Sequence, residues 1–370
     1  MSEDTVYVVT PTRPYSLDRT LARLERFPER VDLFADGIYR RLLFLRGRPL
    51  FLRVEQQGPP MRAELSIAIT GKNAGSKEAK WLADRVLARV LGATTDVRAF
   101  YRTFRSDPLL GPLIKSHLGL RVAGRLTLWE TLLQIVLSQQ IHLKLAHDML
   151  ADLASNLGRS ARLDGRIYYS FPTPRALAAE SLPSLQRFRL SRAKGETLQR
   201  LAALFESGEL SDEKIAPLSD AEAIEVLTSC KGVGRWTAEF ALLRGLGRMD
   251  VFPGGDLGVL KYLAREMLGY AANALEKDMR SFAERWQPYR GLALIYAYAE
   301  LAARAERRAI EARVSEKRSR PSSPLELGSP AHRGPDPGGL RKSGSTRRRE
   351  APLPPPPRSH RDRGTGGGAP

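Results

Sequence analysis

The 370-residue sequence contains a single cysteine, Cys230. One thiol excludes an internal disulfide and any four-cysteine iron–sulfur or zinc centre. Apolar residues never run to the roughly 18 in a row that a membrane-spanning helix needs, so no membrane partner is expected. The opening "MSEDTVYVVT" has no cationic stretch followed by an apolar one, so no export signal is read. The expected location is therefore cytoplasmic, with nucleoid association in a bacterial cell. Acid is also scarce, with 41 Asp and Glu against 59 Lys and Arg, for a net charge of +18. The excess is not confined to one end. Residues 313–370 carry +8 and residues 1–312 the remaining +10. A basic body points to a polyanionic partner, most commonly nucleic acid. The alternative on charge alone is an arginine-rich composition without such a partner.

What is present falls into three parts. Residues 1–96 mix periods of two and 3.6. "VYVVTP", "YRRLLFLRG", "PLFLRVEQQ" and "RAELSIAIT" read as strands, the middle two joined by the Arg46–Pro49 turn. "SLDRTLARLERF", with Ser16 as N-cap, and "SKEAKWLADRVLARVLG" read as helices. The expectation is an α+β layer of about four strands and two helices. Residues 97–312 read as almost wholly helical, punctuated by Pro and Gly. Residues 313–370 are so poor in apolar side chains and rich in Pro, Gly and Arg that a disordered basic tail is expected.

The chemistry concentrates in two stretches of the helical part. "SDAEAIEVLTSC" and "RWTAEFALLRGLG" are helices separated only by "KGVG". Gly232 and Gly234 suit a turn with positive φ and leave backbone N–H groups uncovered at the start of the second helix, which makes an anion site. The bland reading is a tight helix–helix turn without a ligand. The second stretch, "MDVFPGGDLGVLK", offers Asp256 just before an apolar-periodic helix, where an N-cap is the commonest use of aspartate. Downstream, "ERWQPYRGLALIYAYAEL" adds Trp286, Tyr289 and Tyr298, which on spacing alone read as core.

In their order, hairpin, "DVFPGGD" and "RWQPYR" resemble the helix-hairpin-helix (HhH-GPD) DNA glycosylase superfamily, in its 3-methyladenine DNA glycosylase II branch. "LTLWETLLQIVLSQQI" resembles the branch's buried helix and Gln-containing loop, and the N-terminal layer its extra domain, so the likeness spans residues 5–305. The resemblance implies a catalytic aspartate at Asp256, where a carboxylate stabilises the cationic sugar formed as the base leaves. It implies base-pocket aromatics at Trp236, Phe240 and Tyr298, suited to an alkylated, cationic base. Core packing is the alternative for Phe240. It implies that Gln140 fills the gap left by an extruded nucleotide, where a polar helix end is the alternative. DNA-backbone contacts fall to Lys231, Gly232, Val233, Gly234 and Arg235, and a monovalent cation to the carbonyls of Thr228, Cys230 and Gly232.

The first turn of the second helix, "RWTAE", lacks the lysine that relatives able to cut the strand use as nucleophile. The implied enzyme is monofunctional: it hydrolyses the base–sugar bond of alkylated purines in double-stranded DNA, leaves an abasic site, and acts as a monomer without an organic cofactor. Three departures stand out: Lys231 where most members have proline, His142 where many have a small hydroxyl residue, and the aliphatic Leu257 after Asp256. They leave open the same fold acting on a deaminated or oxidised base. A non-catalytic DNA-binding module is the rival from another class.

Overall fold

The computed structural model describes residues 3–319. Five antiparallel strands form a sheet in the order β1-β5-β4-β3-β2: β1 Glu3–Val9, β2 Asp32–Ala35, β3 Ile38–Leu45, β4 Arg48–Gln57 and β5 Glu64–Gly71. The sheet has one strand more than expected. β2 is only "DLFA", too short for alternation to stand out, and it is held to β3 by a turn through Asp36 and Gly37 at φ 54° and 71°. Paired positive φ angles give the twist a two-residue hairpin needs. Two helices cover one face, α1 Leu17–Arg26 and α2 Lys77–Arg89. Ser16 caps α1 as expected, its side chain accepting from the Arg19 N–H. Leu52, Val54, Leu65 and Ile67 of the sheet pack with Leu17, Leu21, Ala83 and Val86, all essentially solvent-free.

The helical body follows: α3 Arg98–Phe104, α4 Leu110–Ser116, α5 Leu128–Ser138, α6 Leu143–Leu157, α7 Pro174–Ala178, α8 Leu182–Gln186, α9 Arg192–Glu206, α10 Asp212–Ile215, α11 Asp220–Ser229, α12 Arg235–Gly245, α13 Ala264–Met267, α14 Glu276–Ala283 and α15 Arg290–Ser319. It is not wholly helical. A hairpin of β6 Ser160–Leu163 and β7 Arg166–Tyr169 turns through Asp164 and Gly165, and Tyr168 meets Phe51 of the sheet edge-on at 5.3 Å. "RALAAESLPSLQRF" is two short helices, each begun by its own cap, Thr173 and Ser181. Of the tail expected from residue 313, residues 313–319 belong to α15. The tail's remaining residues lie outside the described chain.

The parts expected on either side of residue 96 form one compact unit. A buried ionic network ties them together. Arg125, just before α5, is bidentate on Glu29 at 2.5 and 2.8 Å and also bonds Asp32 of β2. Arg41 of β3 joins Asp32 at 2.8 Å to Glu130 of α5 at 2.6 Å. Burial alone would raise the Glu29 carboxyl, but the Arg125 charge and hydrogen bonds, with the His147 ring 3.3 Å away, carry it down to about 2. A depressed carboxyl contributes stability that is complete above its unfolded value near 4.5 and is lost as pH falls toward 2. The melting temperature of wild type is therefore expected to drop steeply between about pH 4.5 and 2. Glu29→Gln should be less stable at neutral pH and show a shallower acid limb, as read by circular dichroism.

Candidate active site

α11 begins with a capping box, Ser219 and Glu222 satisfying each other's backbone N–H groups. It ends at Cys230, whose carbonyl accepts the Val233 N–H at 2.9 Å and closes the turn into α12. Gly232 is at φ +96°, and a Cβ there would lie 2.0 Å from Thr197 Oγ1. This position needs glycine both for its backbone angle and for the approach of α9. Gly234 differs from expectation. Its φ is −84°, and a Cβ would meet nothing within 4 Å. Bareness at Gly234 serves open space at the helix start, not the turn. Val233 also needs correcting as a DNA contact, since its side chain is 3% exposed and its N–H is already spent on Cys230. Lys231 and Arg235 are exposed, with Arg235 Nε on Glu239 at 2.9 Å.

Asp256 sits after "PGG": a Cβ on Gly254 would press on Arg280 Cγ at 2.8 Å, and one on Gly255 would meet only the movable tip of Glu276. Arg280 in turn bonds the Phe252 carbonyl at 2.9 Å and the buried Glu239 of α12, fixing the loop against that helix. Asp256 Oδ1 accepts the Gly258 N–H at 2.8 Å, so the N-cap reading holds locally. The chain then makes one wide π-type turn, Gly258–Leu263, a distortion frequent at functional sites. Two further donors reach the same carboxylate. Trp236 Nε1 bonds Oδ2 at 2.7 Å, and the Tyr298 hydroxyl donates to Oδ1. The half-buried carboxylate thus faces the aromatic stripe of α12 and α15, fixed by three donors. Burial, and then the Asp256 charge, hold the Tyr298 phenol well above its usual range, so it stays a donor at neutral pH.

Phe240 lies one turn beyond Trp236 with its ring at 5.3 Å and 68°, and belongs to the core cluster at 8% exposure. It is therefore both a core residue and the backing for Trp236. Trp286 is fully buried and Tyr289 packs on Phe100, so of the three downstream aromatics only Tyr298 reaches Asp256. Gln140 is exposed at the end of α5 with φ +54°, a strained angle for a non-glycine residue. Its neighbour Gln139, to which no role was given, bonds Gly232 O at 3.1 Å and Thr237 Oγ1 at 3.0 Å and joins the two loops. Among the carbonyls expected at a cation, Cys230 O and Gly232 O already accept one hydrogen bond each. Each keeps a second lone pair, and carbonyl oxygens are the donors a monovalent cation takes, so the set fits one.

A helix–hairpin–helix unit thus stands beside a donor-held carboxylate in a basic chain that also carries an antiparallel sheet. Residues 133–288 match the model of the HhH-GPD superfamily base excision DNA repair proteins. That match falls in the helical part of the chain, and the relatives similar to it carry 3-methyladenine glycosylase names. It is 33% identical over 165 residues to a DNA-3-methyladenine glycosylase of Bacillus subtilis, covering 45% of this chain and 54% of that protein. To DNA-3-methyladenine glycosylase 2 of Escherichia coli it is 32% identical over 190 residues, covering 51% and 63%. The chain thus spans roughly half to two-thirds of these curated relatives. The fold aligns with a 3-methyladenine DNA glycosylase from Archaeoglobus fulgidus at TM-score 0.69 and 24% identity, over 80% of this chain and 98% of that one.

Proposed function

We propose that the protein is a monofunctional DNA N-glycosylase that removes alkylated purines from double-stranded DNA, as a monomer and without an organic cofactor. The supporting observation is the Asp256 carboxylate, oriented by Trp236, Tyr298 and Gly258 at the mouth of an aromatic stripe. A nucleotide swung out of the duplex brings its C1′ to Asp256. The C1′–N bond breaks with its electron pair leaving on the base, and the carboxylate stabilises the cationic sugar. Water then adds to C1′. Trp236 offers its indole face to the departing base, and an alkylated cationic base gains from that contact. The strand is gripped by the α11–α12 turn. Among the described residues, the N–H groups of Gly234 and Arg235 have no backbone partner and point along the positive end of α12. A monovalent cation held by Thr228, Cys230 and Gly232 carbonyls would bridge the turn to a phosphate. The first turn of α12 carries Arg235, Trp236, Thr237 and Ala238, and no amine that could attack the sugar.

The test is a duplex carrying one 3-methyladenine analogue or 7-methylguanine, incubated with the protein and then treated with alkali. Strand scission only after alkali supports the proposal. Scission before alkali would overturn the monofunctional reading, and binding without scission would leave a DNA-binding module. Gln140→Gly isolates the wedge. It relieves an angle that costs on the order of 1 kcal/mol or more, so the melting temperature should not fall. Base release should nonetheless drop about tenfold, because a few kcal/mol of unstacking goes uncompensated.

A further inference from the structure

A second group of charges lies behind the aromatic stripe, where the sheet layer meets the helical body. There a cavity is lined by Arg23 of α1, Asp32, Arg125, Gln134, His147 and Arg244 of α12. The free space among them is about 30 Å³. That is more than the roughly 10–15 Å³ that one water-sized group needs. The neighbouring carboxylates are already committed. Glu29 is bidentate on Arg125, Asp32 is shared by Arg125, Arg41 and Tyr39, and Glu130 is on Arg41. Arg23 and Arg244 are left without a carboxylate within hydrogen-bond reach. Arg23 approaches only the His147 ring, at 3.5 Å, and Arg244 only the Ala123 carbonyl, at 3.0 Å. The Nε of each is buried without a partner. Burial pushes the Arg23 guanidinium down to about 10 and that of Arg244 to about 9, each lowered further by a neighbouring arginine. At neutral pH both remain cations. Four arginines (Arg23, Arg41, Arg125 and Arg244) face three carboxylates in the network, and the next acid to act on Arg23 and Arg244 is Asp256, which neither of them hydrogen-bonds.

Buried donors and charges left in this way are costly unless something accepts from them. We propose that this cavity is an acceptor site for one small negative group, either a free monovalent anion or the keto oxygen of a purine extruded into the adjoining pocket. Its free space has room for a halide or a single oxygen. The second source rests on the glycosylase reading above. Trp236, Phe240 and Arg244 occupy positions i, i+4 and i+8 of α12 and share one face. Arg244 therefore lies about 6 Å beyond Phe240 along the helix. A base whose sugar is at Asp256 directs its far edge along this stripe. The charge of Asp256 acts on both Arg23 and Arg244, and that of Tyr298 on Arg244. When the C1′–N bond breaks, the electron pair and its negative charge pass to the base, and a keto oxygen held by two guanidinium groups shares that charge. The site thus selects keto purines, such as hypoxanthine and 7-methylguanine, over 3-methyladenine.

The full-length protein and Arg244→Met are compared in two arms. In the first, melting temperature is followed while chloride replaces gluconate at fixed ionic strength. A saturable rise in wild type that is absent in Arg244→Met identifies a free anion. In the second, single-turnover release is compared for hypoxanthine, 7-methylguanine and 3-methyladenine duplexes. A loss of at least tenfold for the two keto bases, with less than twofold for 3-methyladenine, identifies the base. Arg23→Met serves in both arms should Arg244→Met not fold. Equal melting in the two salts, together with equal changes for all three lesions, overturns the acceptor site. If wild type releases none of the bases, the glycosylase reading fails, and the salt arm alone decides the cavity.

Discussion

Asp256→Asn is expected to lower single-turnover base release by about 10²–10³ while leaving lesion affinity within a few fold. The amide is close in size to the carboxylate and still accepts through its oxygen, so Gly258 and one of the two side-chain donors keep a partner. What disappears is the negative charge that the cationic sugar meets. A donor-held carboxylate cannot be replaced by a neighbour, because among the groups bonded to Asp256 none is anionic. Quenched-flow release of a labelled base from a lesion duplex measures the loss, and a fluorescence-anisotropy titration measures affinity. If both fell together, Asp256 would be a structural cap and the chemistry would lie elsewhere. Tyr298→Phe provides the graded companion. It removes one of the two donors on Oδ1 and leaves the Gly258 N–H in place, so a smaller loss, of about tenfold, is expected without a change in fold.

The two hairpin glycines should respond in opposite ways. Gly232→Ala places a Cβ 2.0 Å from Thr197 Oγ1 at a backbone angle of +96°. Left-handed strain and overpacking together cost about 2–4 kcal/mol, so the melting temperature should fall by several degrees. DNA affinity should drop at least tenfold as the turn is pushed off α9. Gly234→Ala meets nothing within 4 Å and has an ordinary φ of −84°. Its stability should stay within about 0.5 kcal/mol of wild type. A methyl group in that open space stands where a phosphate approaches the bare N–H groups, so affinity should still fall severalfold. Loss of stability without loss of affinity in the first variant, or no loss of affinity in the second, would remove the phosphate from the turn. Anisotropy titrations at two salt concentrations separate this contact from the general attraction of a basic body.

Much of the site could be read from short stretches because its parts are local. "KGVG" between two amphipathic runs marks the turn, "PGGD" before a periodic segment marks the cap, and "SQQ" marks the polar end of a buried helix. Each depends on angles and hydrogen bonds within four residues. The four obvious strands and both flanking helices were legible for the same reason. β2 and the β6–β7 hairpin were not, since four residues are too few for a period to emerge and their turns are set by single Asp-Gly pairs. Trp286 and Tyr289 looked equivalent to Tyr298 in the string. Only tertiary packing separates them: Trp286 is buried, Tyr289 packs on Phe100 ahead of α15, and Tyr298 on α15 puts its hydroxyl on Asp256.

The sequence alone determined where the backbone turns, which helices cap, which carboxylate follows the glycine pair, and that the whole carries a large positive charge. Those properties follow from near neighbours and from composition. The tertiary structure decided which groups share a site. Trp236 and Tyr298 converge on Asp256 from 20 residues before and 42 after it, Gln139 reaches Gly232 across 93, and Arg244 reaches Ala123 across 121. Arg23 and Arg244 resemble any other arginine until the fold assigns Glu29, Asp32 and Glu130 to Arg125 and Arg41 and holds Asp256 on Trp236, Tyr298 and Gly258. Contacts at such separations are made only by the packing of whole helices and sheet, where the hydrophobic core sets the spacing and the polar groups must find partners within it.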